Sequence, residues 1–327
     1  MKKVKKKNQE HRTYRIAVPF INVGKELWKN KVLYLMTVPI LLLCFLFSYL
    51  PMPGIVMAFK DFDLREGIWG SPWNGIENFK RLFESTSFAR VTFNTIWINF
   101  NNILWGTVLA VVFAICFNEI KGARRKRIYQ IFMFIPYFFS AVIVGRFVDL
   151  LFSTNAGIIN QVIGTLGGQK IEWYSSPQYW VKILVGTNLW KNVGYNMIIY
   201  IAAISGIDEE MMEAACIDGA NRLQKVWYIL LPNLVPTIII MTLMAIGRIF
   251  YGDFQLIYAI TGGHGQLIPT TDIIESFVYR SVMASSGGLP DYGFSTAVCL
   301  YQSFIGFVLV LGSNLLVKKY DPDYALF

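Results

Sequence analysis

Lys191 and Arg248 stand near the middle of two long apolar runs, beside residues of the kinds that hold a polar solute. Around the first are Trp190, Asn192, Tyr195 and Asn196; after the second come Tyr251, Asp253 and Gln255. A charge inside an apolar run is costly in a bilayer and normally faces a cavity or a partner. Aromatic faces, amides and a carboxylate can grip a hydroxyl-rich ligand, and an unpaired guanidinium adds bidentate affinity for an anionic one. The set therefore reads as a binding path, with the competing reading that Arg248 and Asp253 pair and merely hold helices together. Arg146, Asp149 and Lys182 lie toward the ends of their runs and are expected to snorkel. Covalent chemistry has no candidates. Cys44, Cys116, Cys216 and Cys299 are far apart, with neither ligand spacing nor a disulfide framework. His11 and His264 are too few and too separated for a metal site.

A second kind of segment runs from Glu213 to Pro232, EAACIDGANRLQKVWYILLP. Asp208 is placed to cap a helix, and Glu209, Glu210 and Glu213 put negative charge where the helix dipole favours it. Ala214, Ala215 and Cys216 leave a thin layer that another backbone could approach. Gly219 can take the left-handed conformation that ends a helix. Leu223, Val226, Trp227 and Leu230 then form an apolar stripe on a second helix, which Pro232 is expected to break. This predicts a helix, a turn and a helix.

The elements that must position both constellations follow from composition. Of the 327 residues 54% are hydrophobic and only 16% charged, against about 25% charged in an ordinary soluble domain. A membrane protein is implied. Six runs are long enough to span, at 32–50, 98–117, 128–152, 180–204, 235–260 and 295–317. Ten Lys and Arg precede Val32 and five more lie between Lys121 and Arg127, against seven in all the opposite connecting segments. The positive-inside rule puts both termini and the 213–232 segment in the cytoplasm. The net charge of +9 thus reads as membrane orientation and headgroup contact, and no nucleic-acid partner is expected. The run at 32–50 leads into LPMPG, not a cleavage site, and is expected to stay as a first helix. Between the first two runs, Phe79, Leu82 and Phe83 predict a short interfacial helix. TGGHG at 261–265 and SSGGLPD at 285–291 read as turns. The expected organisation is a basic cytoplasmic tail (1–31), a six-helix domain (32–317) whose loop covers about 205–234, and a cytoplasmic tail (318–327).

The 213–232 segment resembles the EAA loop of permease subunits of binding-protein-dependent ABC importers. That family's pattern is EAA, three residues, Gly, nine residues, Ile, one residue, Leu-Pro. Here it is filled by Glu213, Ala214, Ala215, Gly219, Ile229, Leu231 and Pro232, with the companion DGA as Asp218, Gly219 and Ala220. "MAFKDFD", "WNGIENFKRLF", "IAAISGIDEEMMEAA", "IYAITGGHGQLIPTTDIIESFVYR" and "YGFSTAVCL" extend the likeness to the carbohydrate, maltose-permease-like and polysaccharide-transport branch. His264 departs from the proline common after that glycine pair.

The resemblance implies an all-α membrane protein of the type I ABC importer permease architecture, with a cytoplasmic coupling loop that docks on a separate ATPase. It implies a second related permease, two ATP-binding-cassette subunits and an extracytoplasmic sugar-binding protein or lipoprotein, at a bacterial cell membrane. The chain itself is expected to bind no cofactor, ATP and Mg belonging to the ATPase; it contains no G-x-x-x-x-G-K-[ST]. The rival reading is an ion-coupled secondary transporter of a small polar solute. That would need carboxylates within the runs, where only Asp149 and Asp253 occur, and would leave the EAA spacing unexplained.

Overall fold

The computed structural model describes residues 28–283, 290–320 and 322. The tails 1–31 and 318–327 and the turn at 285–291 fall wholly or partly outside them. Among the described residues the chain is helical, with one isolated bridge between Lys60 and Trp73 and no strand. It divides into two units, one ending at Ile55 and the other beginning at Val56. The first contains α1 (Lys31–Cys44), which continues through a wide π turn at Phe45–Tyr49.

The second unit contains α2 (Glu77–Glu84), the short helix expected around Phe79; Leu82 is buried and Phe83 exposed. Arg81 of α2 donates to Asp291 at 2.8 Å, tying the helix to the start of the last span. Helices α3 (Phe88–Asn118) and α6 (Trp180–Ser205) pack along each other. Ala110, Ala114 and Phe117 of α3 meet Met197, Tyr200 and Ile204 of α6, and Leu230 and Leu234 close that core. A second core gathers Ile98, Val144, Val148, Leu184, Leu256 and Ile260. A third joins Leu82, Val91, Phe250, Ile274, Phe294 and Val298. In a bilayer such contacts hold by close packing more than by exclusion of water, so small residues matter at crossings. Gly194 is one such point, since a Cβ there would overlap the Met133 carbonyl.

Two of the expected continuous spans are broken. The run at 128–152 is α4 (Ala123–Phe134), a 3-10 turn at Ile135–Phe138 and α5 (Ala141–Phe152), bent by 97°. Pro136 removes an amide donor at the break, and Ser140 accepts from the Ile143 amide at 3.4 Å to start α5 afresh. The run at 235–260 ends its long helix at Ile246, passes through Gly247 to Asp253 and restarts as α9 (Phe254–Thr261). Asp253 caps α9, accepting from the Leu256 amide at 3.0 Å. Gly262 ends α9 in the left-handed region at φ 61°, so TGGHG is a turn as its glycines predict.

Pro232 does the opposite of what its residue type suggests. After α7 (Glu209–Ile217), helix α8 (Arg222–Ile246) passes through Pro232 without a break. A π turn at Val226–Leu230 widens the helix just ahead of the proline, where a regular turn would press the ring on the carbonyl of residue 228. Helices α10 (Ile274–Met283) and α11 (Tyr292–Tyr320) complete the unit. Among the described residues four helices are long and apolar enough to cross a membrane, or five if the bent α4–α5 pair is one span. Helix α6, 26 residues long, is outside that set; Lys182, Asn188, Lys191, Asn192 and Asn196 dilute its apolar surface.

Candidate functional site

The breaks in the two spans face a common cavity of about 690 Å³. Asn192, Tyr195 and Asn196 line it from α6; Arg248, Tyr251 and Asp253 line it from the break between α8 and α9, and Gln255 from the first turn of α9. Two expected members lie elsewhere. Trp190 stacks on Phe139 at 6.1 Å and lines a separate apolar groove. Lys191 donates to the Tyr137 carbonyl at 2.7 Å and lies 5.3 Å from the Tyr137 ring, so it reaches the cavity wall only through Tyr137.

The cavity also has walls that the residue pattern around Lys191 and Arg248 did not single out: Asn99, Asn102 and Thr107 of α3, Tyr137, and Asn188 and Tyr200 of α6. The signal was present in the run at 98–117, where side-chain amides interrupt apolar sequence as they do in α6. Tyr137 stacks on Tyr195 at 4.4 Å, which presents two parallel rings at one wall. The Oδ1 of Asn102 is buried without a protein donor.

Arg248 decides the electrostatics. Among the described residues no carboxylate lies within 4.0 Å of it, so the Arg248–Asp253 pair of the competing reading does not form. The backbone that presents it is pinned from three sides. Asn99 donates to the carbonyls of Ile249 and Tyr251 at 2.8 and 3.2 Å. Glu275 Oε1 accepts from the Gly252 amide at 2.9 Å, and Gln302 donates both to that oxygen, at 2.7 Å, and to the Phe250 carbonyl. Tyr251 shares a 2.9 Å hydrogen bond with Ser303 of α11. The site is thus a polar, aromatic-walled chamber with one unpaired cation.

The second constellation is a compact hairpin of helices. Asp208 accepts from the Glu210 amide at 3.0 Å and starts α7. At its end Gly219 sits at φ 75°, with Ala220 N–H on the Ala215 carbonyl at 2.9 Å and Gly219 N–H on that of Cys216 at 3.2 Å. That pair of bonds is the Schellman arrangement, which needs a residue without a Cβ penalty at position 219. Asn221 and Gln224 form a reciprocal capping box that opens α8, a signal the sequence reading passed over. Lys225 reaches back to the Cys216 sulfur at 2.9 Å. The expected apolar stripe divides: Leu230 is buried and Val226 packs on the core, whereas Leu223 and Trp227 are exposed. Glu213, Ala214, Asp218, Gly219 and Pro232 are exposed too, while Ala215, Ala220, Ile229 and Leu231 are half-buried.

Residues 103–322 match the family of binding-protein-dependent transport system inner membrane components. The chain belongs to that family. Protein LplB of Bacillus subtilis (strain 168) is 33% identical to this permease over 93% of its length and 96% of LplB. The polygalacturonan/rhamnogalacturonan transport system permease protein YteP of the same organism is 32% identical, over 91% of both chains. A solved bacterial ABC transporter, involved in the import of the acidic polysaccharide alginate, has a chain that superposes with a TM-score of 0.82 at 28% identity. That match covers 92% of this permease and 99% of the transporter chain. The all-α, type I permease fold follows from these likenesses.

Proposed function

We propose that this permease forms the translocation path for an anionic, uronate-containing oligosaccharide, handed over by an extracytoplasmic binding protein and driven inward by a separate ATPase. The observation that carries the sign of charge is Arg248, a cation in the chamber wall with no carboxylate within 4.0 Å among the described residues. A guanidinium left unpaired there has bidentate capacity to spare for a uronate carboxylate. Tyr195 and Tyr251 offer ring faces to the sugar, and Asn192, Asn196, Gln255 and the orphaned Asn102 oxygen offer partners for its hydroxyls. Lys191 acts at one remove, holding Tyr137. The proposal agrees with the acidic polymers named for YteP and for the alginate transporter. Another solved structure of the alginate transporter, bound to a periplasmic protein carrying alginate pentasaccharide, supports delivery by a binding protein.

In this reading α4–α5 counts as one bent span and α6 as another, giving six with α1, α3, α8 and α11. Both termini and the 205–234 hairpin lie in the cytoplasm. Glu213 to Pro232 dock on an ATP-binding-cassette subunit, which alone holds ATP and Mg, and a second related permease engages the other. The exposed Leu223, Trp227 and small residues of α7 supply the docking face, and unbroken α8 carries its motion toward Arg248 as a rigid rod. The deciding measurement is uptake of labelled uronate and neutral oligosaccharides by the reconstituted importer with Arg248 intact and with Arg248→Gln. Selective loss of uronate uptake is expected; uptake of neutral sugars alone, or uronate uptake that survives the substitution, removes the proposal.

A further inference from the structure

Lys182 sits in the first turn of α6, at the edge of the apolar zone, and it is exposed. Among the described residues it has neither an ion pair nor a hydrogen bond to protein. On one side of it runs a groove of about 810 Å³ between α5 and α6, floored by Phe147, Leu151, Ile183 and Trp190. On the other runs a groove of about 620 Å³ between α3 and α6, lined by Trp97, Trp105, Val185 and Leu189. Lys182 and Gly186 belong to both. Neither groove is walled by a residue proposed to meet the sugar, and Trp190 is turned away from the chamber.

We propose that this face of α6 binds one anionic diacyl phospholipid, its headgroup phosphate on Lys182 and one acyl chain in each groove. Three observations favour that occupant. A cation at the end of a membrane helix with no protein partner calls for a negative group at headgroup depth, and phosphate is the anion available there. Each groove passes Lys182 and continues along α6 to Trp190 or Leu189, seven or eight residues on, which is about 12 Å of helix. One leaflet of hydrocarbon is about 15 Å thick, half the bilayer core, so each groove follows an acyl chain over most of that depth. Finally, the grooves flank a shared ridge at Lys182 and Gly186, where the glycine leaves the helix surface low, as a two-tailed ligand requires. A Cβ added at Gly186 would meet nothing within 4 Å.

The test uses the importer complex purified with full-length permease, delipidated and titrated with phosphatidylglycerol or phosphatidylcholine, bound lipid being counted by native mass spectrometry. Wild type should retain one phosphatidylglycerol in preference to phosphatidylcholine. Lys182→Gln should weaken phosphatidylglycerol binding about five-fold and abolish the preference, as loss of one cation near the headgroups implies. Gly186→Leu, whose Cβ meets nothing within 4 Å, should leave yield and assembly unchanged and exclude both lipids from this site. Equal retention of the two lipids by wild type overturns the proposal. So does a preference that survives Lys182→Gln, or an efficient cross-link from Gly186→Cys to the second permease, which would show protein in the grooves. None of these outcomes depends on which sugar Arg248 accepts.

Discussion

Lys191 Nζ lies 2.7 Å from the carbonyl oxygen of Tyr137, in the 3-10 turn that breaks the α4–α5 span. One of the two mid-run cations is thereby committed to the fold, and the other, Arg248, is left for the chamber. A hydrogen bond from a charged donor is worth about 1.5–3 kcal/mol, less where water reaches it. Lys191→Met is therefore expected to lower the melting temperature of the solubilised permease, while the ratio of uronate to neutral sugar uptake stays at the wild-type value. A changed ratio with an unchanged melting temperature would assign Lys191 to the substrate instead.

Gly219 gives the second test, because its φ of 75° is fixed by the two bonds from Ala220 and Gly219 to the end of α7. Left-handed backbone costs a residue with a Cβ about 1–2 kcal/mol, most for β-branched types and least for Asn. Gly219→Val should therefore shift the turn between α7 and α8 and raise the ATP hydrolysed per sugar transported in the assembled importer, with Gly219→Asn close to wild type. Glu213→Lys, which reverses an exposed charge without touching the turn, should instead reduce co-purification of the ATPase. If Gly219→Val transports with the wild-type ratio, the hairpin is not the coupling element.

How far these features could be read in advance differs from one proline to the next. Asp208, Gly219 and the TGGHG turn were legible, because a cap or a left-handed glycine is specified by residues within a few positions of it. Pro136 and Pro232 were not. Both stand at apolar positions, yet the span breaks at Pro136 and runs unbroken through Pro232. At the first, Ser140 is ready to start a new helix, and α6 comes within reach of the preceding turn at Gly194. At the second, the π turn makes room for the proline ring while Leu230 and Leu234 stay in the core. Tertiary packing chose between those outcomes. The chamber was half legible for a similar reason: charge inside an apolar run points to Arg248, but only the fold reveals that Trp190 faces away and that α3 supplies Asn99 and Asn102.

The carboxylate behind the chamber gives the last prediction. Glu275 lies outside the spans, in α10; its Oε1 accepts from Gly252 and Gln302, and its Oε2 is buried with no donor. Burial, the largest influence, raises its pKa, the bonds from Gly252 and Gln302 pull it down in part, and the nearby Asp253 carboxylate adds a smaller upward push. A carboxyl whose folded pKa is raised stabilises the fold fully below its unfolded pKa and loses that contribution as pH climbs through the folded value. The wild-type permease should therefore melt at progressively lower temperature as pH rises through and above the usual carboxylate range. Glu275→Gln keeps an acceptor for Gly252 and carries no charge, so its melting temperature should lose this slope and exceed wild type at the alkaline end. Glu275→Ala leaves the Gly252 amide and one Gln302 bond unmet, a cost of about 1–3 kcal/mol, and should be destabilised at every pH. Because the strand of backbone it holds presents Arg248, the alanine variant should also raise the KM for sugar uptake. A melting curve with the same pH slope in wild type and Glu275→Gln would mean that the charge of this carboxyl is borne without penalty.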